Sequence, residues 1–367
     1  MTYSEKHILD HILKLSKRLI AVPSTLDNLA GLEEVLEIAK KELEGYFAME
    51  EFENNGISSL LIHNTNKRTK HFTVILNAHL DVVPGKKKQF KSFEKDGKLY
   101  GRGSYDMKAA AAVMIILFKN FAQKLSYPIA IQLVTDEEIG GYHGAGYQIK
   151  KGVSTDFFLM GEPSWLKLNN AAKGVLWIKL TAKGETNHAA YPWLGQNAII
   201  KMHHAIKKLE EIYPTPKTDE WKTTAALTRI ETTNKTTNKI PDNCTAYFDI
   251  RYIPSDQRII LQTIRDALPE DITVEIITQD HAFHTKEDNV HMQKLAHAVE
   301  KTLGEKIEYL STNGSSDARH YEAIGNNGVC FGPLGEGHHS DKEYVDIKSL
   351  ENYYHILKDF LFSLSST

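Results

Sequence analysis

The chain has 367 residues, more than a single hydrophobic core usually serves, so two domains are the expectation. Hydrophobic residues make up 41% and charged residues 25%, which excludes a disordered or fibrous chain. A net charge of −3, from 44 basic and 47 acidic residues, excludes the basic footprint of a nucleic-acid binder.

Taken in chain order, residues 5–21 carry Ile8, Ile12, Leu15, Leu19 and Ile20 at helical spacing with charges between them. That predicts an amphipathic helix and not a leader peptide. A second helix is predicted over 29–46. FTVILNAHL (72–80) is a continuous apolar run, as expected of a strand buried on both faces of a parallel sheet. The Ala-rich MKAAAAVMIILFKNFAQKL (107–125) reads as a long buried helix. IAIQLVTDE (129–137) and DFFLMGEP (156–163) read as further buried strands. This alternation predicts an α/β fold with a mostly parallel sheet.

The style changes near residue 173. GVLWIKLTAKG (174–184) alternates like a half-exposed strand and is followed by a helix over 196–212. Strands over 224–233 and 243–253, a helix over 256–268 and a strand over 272–277 come next. Strand, helix, two strands, helix, strand describes a small antiparallel sheet with two helices on one face. A helix over 290–303 resumes the earlier style. The expected division is therefore a discontinuous domain of 1–172 and 286–367, with a domain of 173–285 inserted in it. No apolar run reaches the roughly 18 residues of a membrane span, so no membrane partner is expected. Cys244 and Cys330 sit in apolar segments and read as buried free thiols of a reducing compartment, which predicts a cytoplasmic location.

Five clusters carry chemistry. His79-Leu80-Asp81 closes the strand 72–80, and strand carboxyl ends gather ligand sites in open α/β sheets. Residues two apart on an extended chain share a side, so His79 can bind a metal while Asp81 takes its other ring N–H. Alone, such a tripeptide is as readily a surface turn. Asp106, in GRGSYDMKAA, stands at the start of the Ala-rich helix and could equally be an N-cap. Gly101 and Gly103 let that loop approach a site closely. Asp136, Glu137 and Glu138 follow a buried apolar strand, where uncompensated charge is costly. Glu162, in GEPS, ends another. His338 and His339 lie in a Gly-rich loop after VCFGPL, and one of the pair is the expected ligand.

Together the clusters supply His79, Asp106, Glu138, Glu162 and a histidine of the 338–339 pair, enough N and O donors for two metal ions. Glu137 is left over as the free carboxylate a general base needs. No G-x-S-x-G elbow follows a strand, which disfavours a serine hydrolase, although NGSSDAR holds a Ser/Asp pair.

NAHLDVVPG, GRGSYDMKAA, TDEEIGG, GEPS, NGSSDAR and HHSDKEYV, in that order, resemble the dizinc aminoacylase/carboxypeptidase metallopeptidase family over nearly the whole chain. The lid segment NHAAYPWLGQNAI is close in style to its acetylornithine deacetylase and succinyl-diaminopimelate desuccinylase branches. The resemblance implies a zinc-peptidase-like mixed sheet with flanking helices and an inserted, ferredoxin-like lid or dimerisation domain. It implies two Zn2+ ions, replaceable in vitro by Co2+ or Mn2+. His79 and Glu162 would hold one ion and Glu138 and His339 the other. Asp106 would bridge them through a loop with a cis Asp106–Met107 peptide. Asp81 would orient His79, and Glu137 would be the general base and then the general acid. His188, in KGETNHAAYPWLGQNAI, would stabilise the oxyanion. Asn243 and Arg251, in IPDNCTAYFDIR, and Arg319, in SSDAR, would hold a substrate carboxylate. The implied activity is removal of an acyl group from an N-acyl amino acid. The alternatives are a carboxypeptidase or dipeptidase acting on short peptides, and a catalytically dead binding protein of the same fold. A homodimer through the lid is also implied.

Overall fold

The computed structural model describes residues 7–65, 69 and 71–365. Contacts divide the chain into two compact units, Met1–Asn170 with His284–Leu310 and Ser316–Thr367, and Ala171–Phe283 with Ser311–Ser315. The first predicted helix runs Ile8–Ile20, and its predicted start at residues 5 and 6 lies outside the described residues. Among the described residues no helix is long and apolar enough to cross a membrane.

From its edge inward, the main sheet of the first unit runs through the strands Ala48–Asn54, Ile57–His63, Ile129–Val134, His71–His79, Ser154–Met160 and Asn327–Cys330, in that spatial order. His71–His79 is parallel to both of its neighbours, and Asn327–Cys330 is parallel to Ser154–Met160. Ile57–His63 joins antiparallel, which makes the sheet mixed. Registers put His79 opposite Val134 and Asn77 opposite Met160. Three neighbouring strands therefore end almost level, at one edge of the sheet.

The apolar runs behave as their composition requires. Every residue of Ile129–Val134 is buried, as is all of Lys108–Phe121 except Lys119. Ala109, Ala110, Ala111 and Ala112 are fully buried, and their small side chains let this helix pack closely on its neighbours. Two predicted strands end early. The one expected to reach Glu137 stops at Val134, because the Asp136 carboxylate accepts the N–H groups of His143 and Gly144, at 2.8 and 3.1 Å, and folds the chain back. The one expected over 156–163 runs Ser154–Met160, leaving Glu162 in the loop beyond.

The second unit is a four-stranded antiparallel sheet in the order Thr224–Glu231, Asn243–Tyr252, Gly174–Lys183, Ile272–Asp280. With helices Ala198–Ile212 and Ile260–Ala267 this is a ferredoxin-like arrangement. Along Asn243–Tyr252 buried and half-buried residues alternate without exception. Cys244, Ala246, Phe248 and Ile250 join Met202, Leu209 and Ile264 in its core. Cys244 and Cys330 are both free and buried.

Candidate metal centre

Each of the three level strand ends delivers a side chain to the same place. His79 is the last residue of its strand, Glu137 and Glu138 lie in a 3-10 turn just past Val134, and Glu162 lies two residues past Met160. Two loops complete the group. Residues 101–107 form turns ahead of helix Lys108–Phe121. Within them Gly103 has φ +80°, and a Cβ there would meet Val82 at 2.7 Å and Lys108 at 3.0 Å. This turn therefore closes only on glycine. The Asp106–Met107 peptide is cis. Met107 precedes the helix, and no side chain caps it, so Asp106 is not its N-cap. His339, at φ +60°, lies in the loop between Gly335–Glu336 and Tyr344–Asp346.

The donors fall into two groups that share Asp106. Asp106 Oδ1 is 3.1 Å from His79 Nε2, which is 3.7 Å from Glu162 Oε1. Asp106 Oδ2 is 3.3 Å from His339 Nε2, which is 3.1 Å from Glu138 Oε2. One carboxylate thus turns a different oxygen to each group. The neighbouring His338 stands edge-on to the Tyr105 ring, with ring centres 6.2 Å apart.

Electrostatics reflect the crowding. Burial alone would lower the His79 pKa, but Glu162, Asp106 and Asp81 overcome it and hold the imidazolium well above its usual range. Hydrogen bonds to Asp106 and Glu138 raise His339 to about 10. Burial would raise Asp106, but hydrogen bonds from His339 and His79 hold it below the usual carboxylate range. Burial, with Asp106 and Glu138 adding to it against His79, pushes Glu162 up to about 8. Burial and then the charge of Glu162 push Glu137 well above the ordinary value.

The residues fit a pair of cations. Among the described residues Glu162 Oε1 is buried with no hydrogen-bond partner, a costly state for a carboxylate unless it ligates an ion. Bonds of about 2.0–2.1 Å in a tetrahedral site put neighbouring ligand atoms about 3.3 Å apart. The four separations here run from 3.1 to 3.7 Å.

Around this group, Asp81 reaches in two directions. His79 Nδ1 lies 3.1 Å from the main-chain oxygen of Asp81 and 3.5 Å from its Oδ1, so the backbone is the nearer acceptor. Asp81 Oδ2 accepts the N–H of Glu138 at 3.0 Å. Arg319 is buried, and its Nη2 donates to the Gly140 carbonyl, which also lies 2.8 Å from His320 Nε2. His188, Asn243 and Arg251 belong to the second unit. His188 forms a β-bridge with Lys239, and its Nδ1 accepts the N–H of Ala190 at 3.1 Å. Asn243 Nδ2 donates to Thr233 and Asp242. Arg251 makes a two-pronged ion pair with Asp249, at 2.7 and 2.9 Å. Sequence reasoning passed over Arg102, Asp317, His320 and Glu343. Of these, Glu343 stands four residues after His339 and directly ahead of the short strand Tyr344–Asp346, a placement that does not show its backbone partners.

The chain resembles known proteins both in sequence and in fold. The profile of Peptidase family M20/M25/M40 matches residues 75–363. A succinyl-diaminopimelate desuccinylase of Acidovorax ebreus (strain TPSY) is 30% identical over 394 aligned positions, covering 96% of this chain and 98% of its own. In fold, the chain is similar to aminopeptidase PepT from Bacillus cereus ATCC 10987, with TM-score 0.78, 20% identity and coverage of 96% and 98%. It is also similar to Bacillus subtilis YXEP, a dinuclear metal binding peptidase, with TM-score 0.72, 15% identity and coverage of 99% and 100%.

Proposed function

The chain belongs to Peptidase family M20/M25/M40, a metal-dependent amide hydrolase family, and on that premise we propose that it removes an acyl group from an N-acyl amino acid with two zinc ions. The observation that carries this reading is the shared carboxylate, with Asp106 Oδ1 toward His79 and Oδ2 toward His339. His79 and Glu162 would hold one ion and Glu138 and His339 the other, with Asp106 shared between them. Co2+ or Mn2+ would serve in the same donor set.

When bound, the two cations supply Lewis-acid polarisation of the amide carbonyl and acidify water. The protein's own groups do the rest. Glu137 is the acid of the cluster left over from ligation. It takes the proton from the attacking water and returns it to the leaving nitrogen. Asp81 fixes the His79 ring through Nδ1 and seats Glu138 through its N–H.

His188 serves the oxyanion and Asn243, Arg251 and Arg319 the substrate carboxylate in the same reading. Their places in KGETNHAAYPWLGQNAI, IPDNCTAYFDIR and SSDAR support it. The ferredoxin-like unit is the lid and the dimerising surface of a cytoplasmic homodimer, a reading supported by the two buried free thiols and that segment.

The name of the Acidovorax ebreus relative favours an N-succinyl substrate. A panel of N-succinyl and N-acetyl amino acids and dipeptides, with released amine measured before and after chelation, tests the proposal. Amine release only from acyl amino acids, lost with a chelator and restored by zinc, is the expected result. Release from dipeptides alone would replace it with a dipeptidase.

A further inference from the structure

Glu343 lies 3% exposed just ahead of the strand Tyr344–Asp346, which pairs with Lys98–Tyr100. That pairing brings together the starts of two loops. One continues from Tyr100 to Asp106 and the other leads back from Glu343 to His339. The Glu343 carboxylate spans them. Its Oε1 accepts the backbone N–H of Tyr105 at 3.0 Å and that of Asp106 at 3.1 Å. Its Oε2 accepts from Arg102 Nη1 at 2.8 Å. Arg102 is 4% exposed and is held at its backbone by Gln89, whose carbonyl accepts the Arg102 N–H at 2.9 Å.

These contacts have a direct consequence for the cluster. A residue whose two carboxylate oxygens face different groups must hold its main chain still, because rotation of the backbone would move both oxygens at once. Among the described residues, the Asp106 carboxylate faces the imidazoles of His79 and His339. Its backbone N–H is held by Glu343. Buried charge-assisted bonds of this kind are among the stronger ones in a protein.

We propose that Glu343 is a positioning residue for Asp106, its buried carboxylate seating the Tyr105 and Asp106 peptides so that both Asp106 oxygens face metal. The proposal rests on the reading of Asp106 as the bridging ligand. Arg102 holds the Glu343 carboxylate in turn and needs no contact with metal.

The test compares Glu343→Gln with Glu343→Leu. Both leave Arg102 without its anion, so that loss is common to the two. Only Gln keeps an oxygen acceptor for the two N–H groups. Zinc affinity of the chelated protein is measured by competition with a chromogenic chelator, alongside the unfolding midpoint of the same chelated protein. Asp106→Asn is the control. Glu343→Leu is expected to bind zinc about 10–100-fold more weakly than wild type, and Glu343→Gln within a few-fold of it. Should the Leu variant fail to fold, Glu343→Asp, one methylene short of the N–H groups, takes its place and must fall below Gln in the same order. Equal affinities of the Gln and the shortened or apolar variant would overturn the proposal while leaving the site intact. Unchanged zinc binding by Asp106→Asn would overturn the bridging reading, and this proposal with it.

Discussion

Asp81 Oδ2 accepts the backbone N–H of Glu138 at 3.0 Å. The link ties the end of one strand to the turn after its neighbour, and therefore a ligand of one donor group to a ligand of the other. Asp81→Ala removes it together with the carboxylate 3.5 Å from His79 Nδ1. Zinc affinity should fall about 10–100-fold, and kcat/KM with it. Unaltered zinc affinity in a chelator competition would reduce Asp81 to a bystander.

Glu137→Gln should leave zinc content at the wild-type level and abolish turnover. A general acid–base group contributes about 10²–10⁴-fold, so at least that loss is expected in kcat. Metal analysis and single-turnover kinetics on the same preparation check it. A variant that keeps near-wild-type kcat takes Glu137 out of the proton path.

Metal uptake should release protons. In chelated protein at pH 8, Asp106 and Glu138 keep His339 protonated, its pKa raised to about 10, and His79 is held protonated in the same manner. Metal needs both rings neutral and Glu162, raised to about 8, ionised, so loading expels about two to three protons per chain. Zinc titration in two buffers of different ionisation enthalpy measures that number. A value near zero contradicts the close contact of the imidazoles with the carboxylates.

Gly141→Ala should both destabilise the protein and slow it. Gly141 has φ +64°, and a Cβ there would lie 1.7 Å from Asp317 Oδ1. Asp317 is fully buried and cannot swing out to solvent. Strain and overpacking of this kind cost about 1–3 kcal/mol each. The turn carrying Glu137 and Glu138 would absorb part of the shift, because Gly140 N–H donates to the Glu137 carbonyl at 2.8 Å. Thermal unfolding of the chelated variant and kcat of the loaded one read the two effects, and wild-type values for both would contradict this packing.

What the sequence revealed depended on where the signal lay. Buried runs such as Phe72–His79 declared themselves by composition, because a strand covered on both faces is apolar at most positions. The chemistry-bearing acids and histidines stood at the ends of those runs, so His79, Glu138 and Glu162 could be located without coordinates. The hairpin Ala48–Asn54 and Ile57–His63 was missed, although its Asn55-Gly56 turn, with φ +54° and +77°, is a strong hairpin signal. The strand preceding that turn is half-exposed and rich in Glu, which hid it. Glu343 was missed for another reason. Its partners are backbone N–H groups more than 230 positions away, and such contacts leave no pattern in side-chain order.

The most direct measurement is the number of zinc equivalents the chelated chain binds tightly, with hydrolysis of an N-acyl amino acid followed at each addition. Two equivalents per chain are predicted, with activity returning as they bind and both losses reproduced by Asp106→Ala. Full activity with no zinc bound, or two equivalents still held tightly by Asp106→Ala, would contradict a pair of ions joined through that one carboxylate.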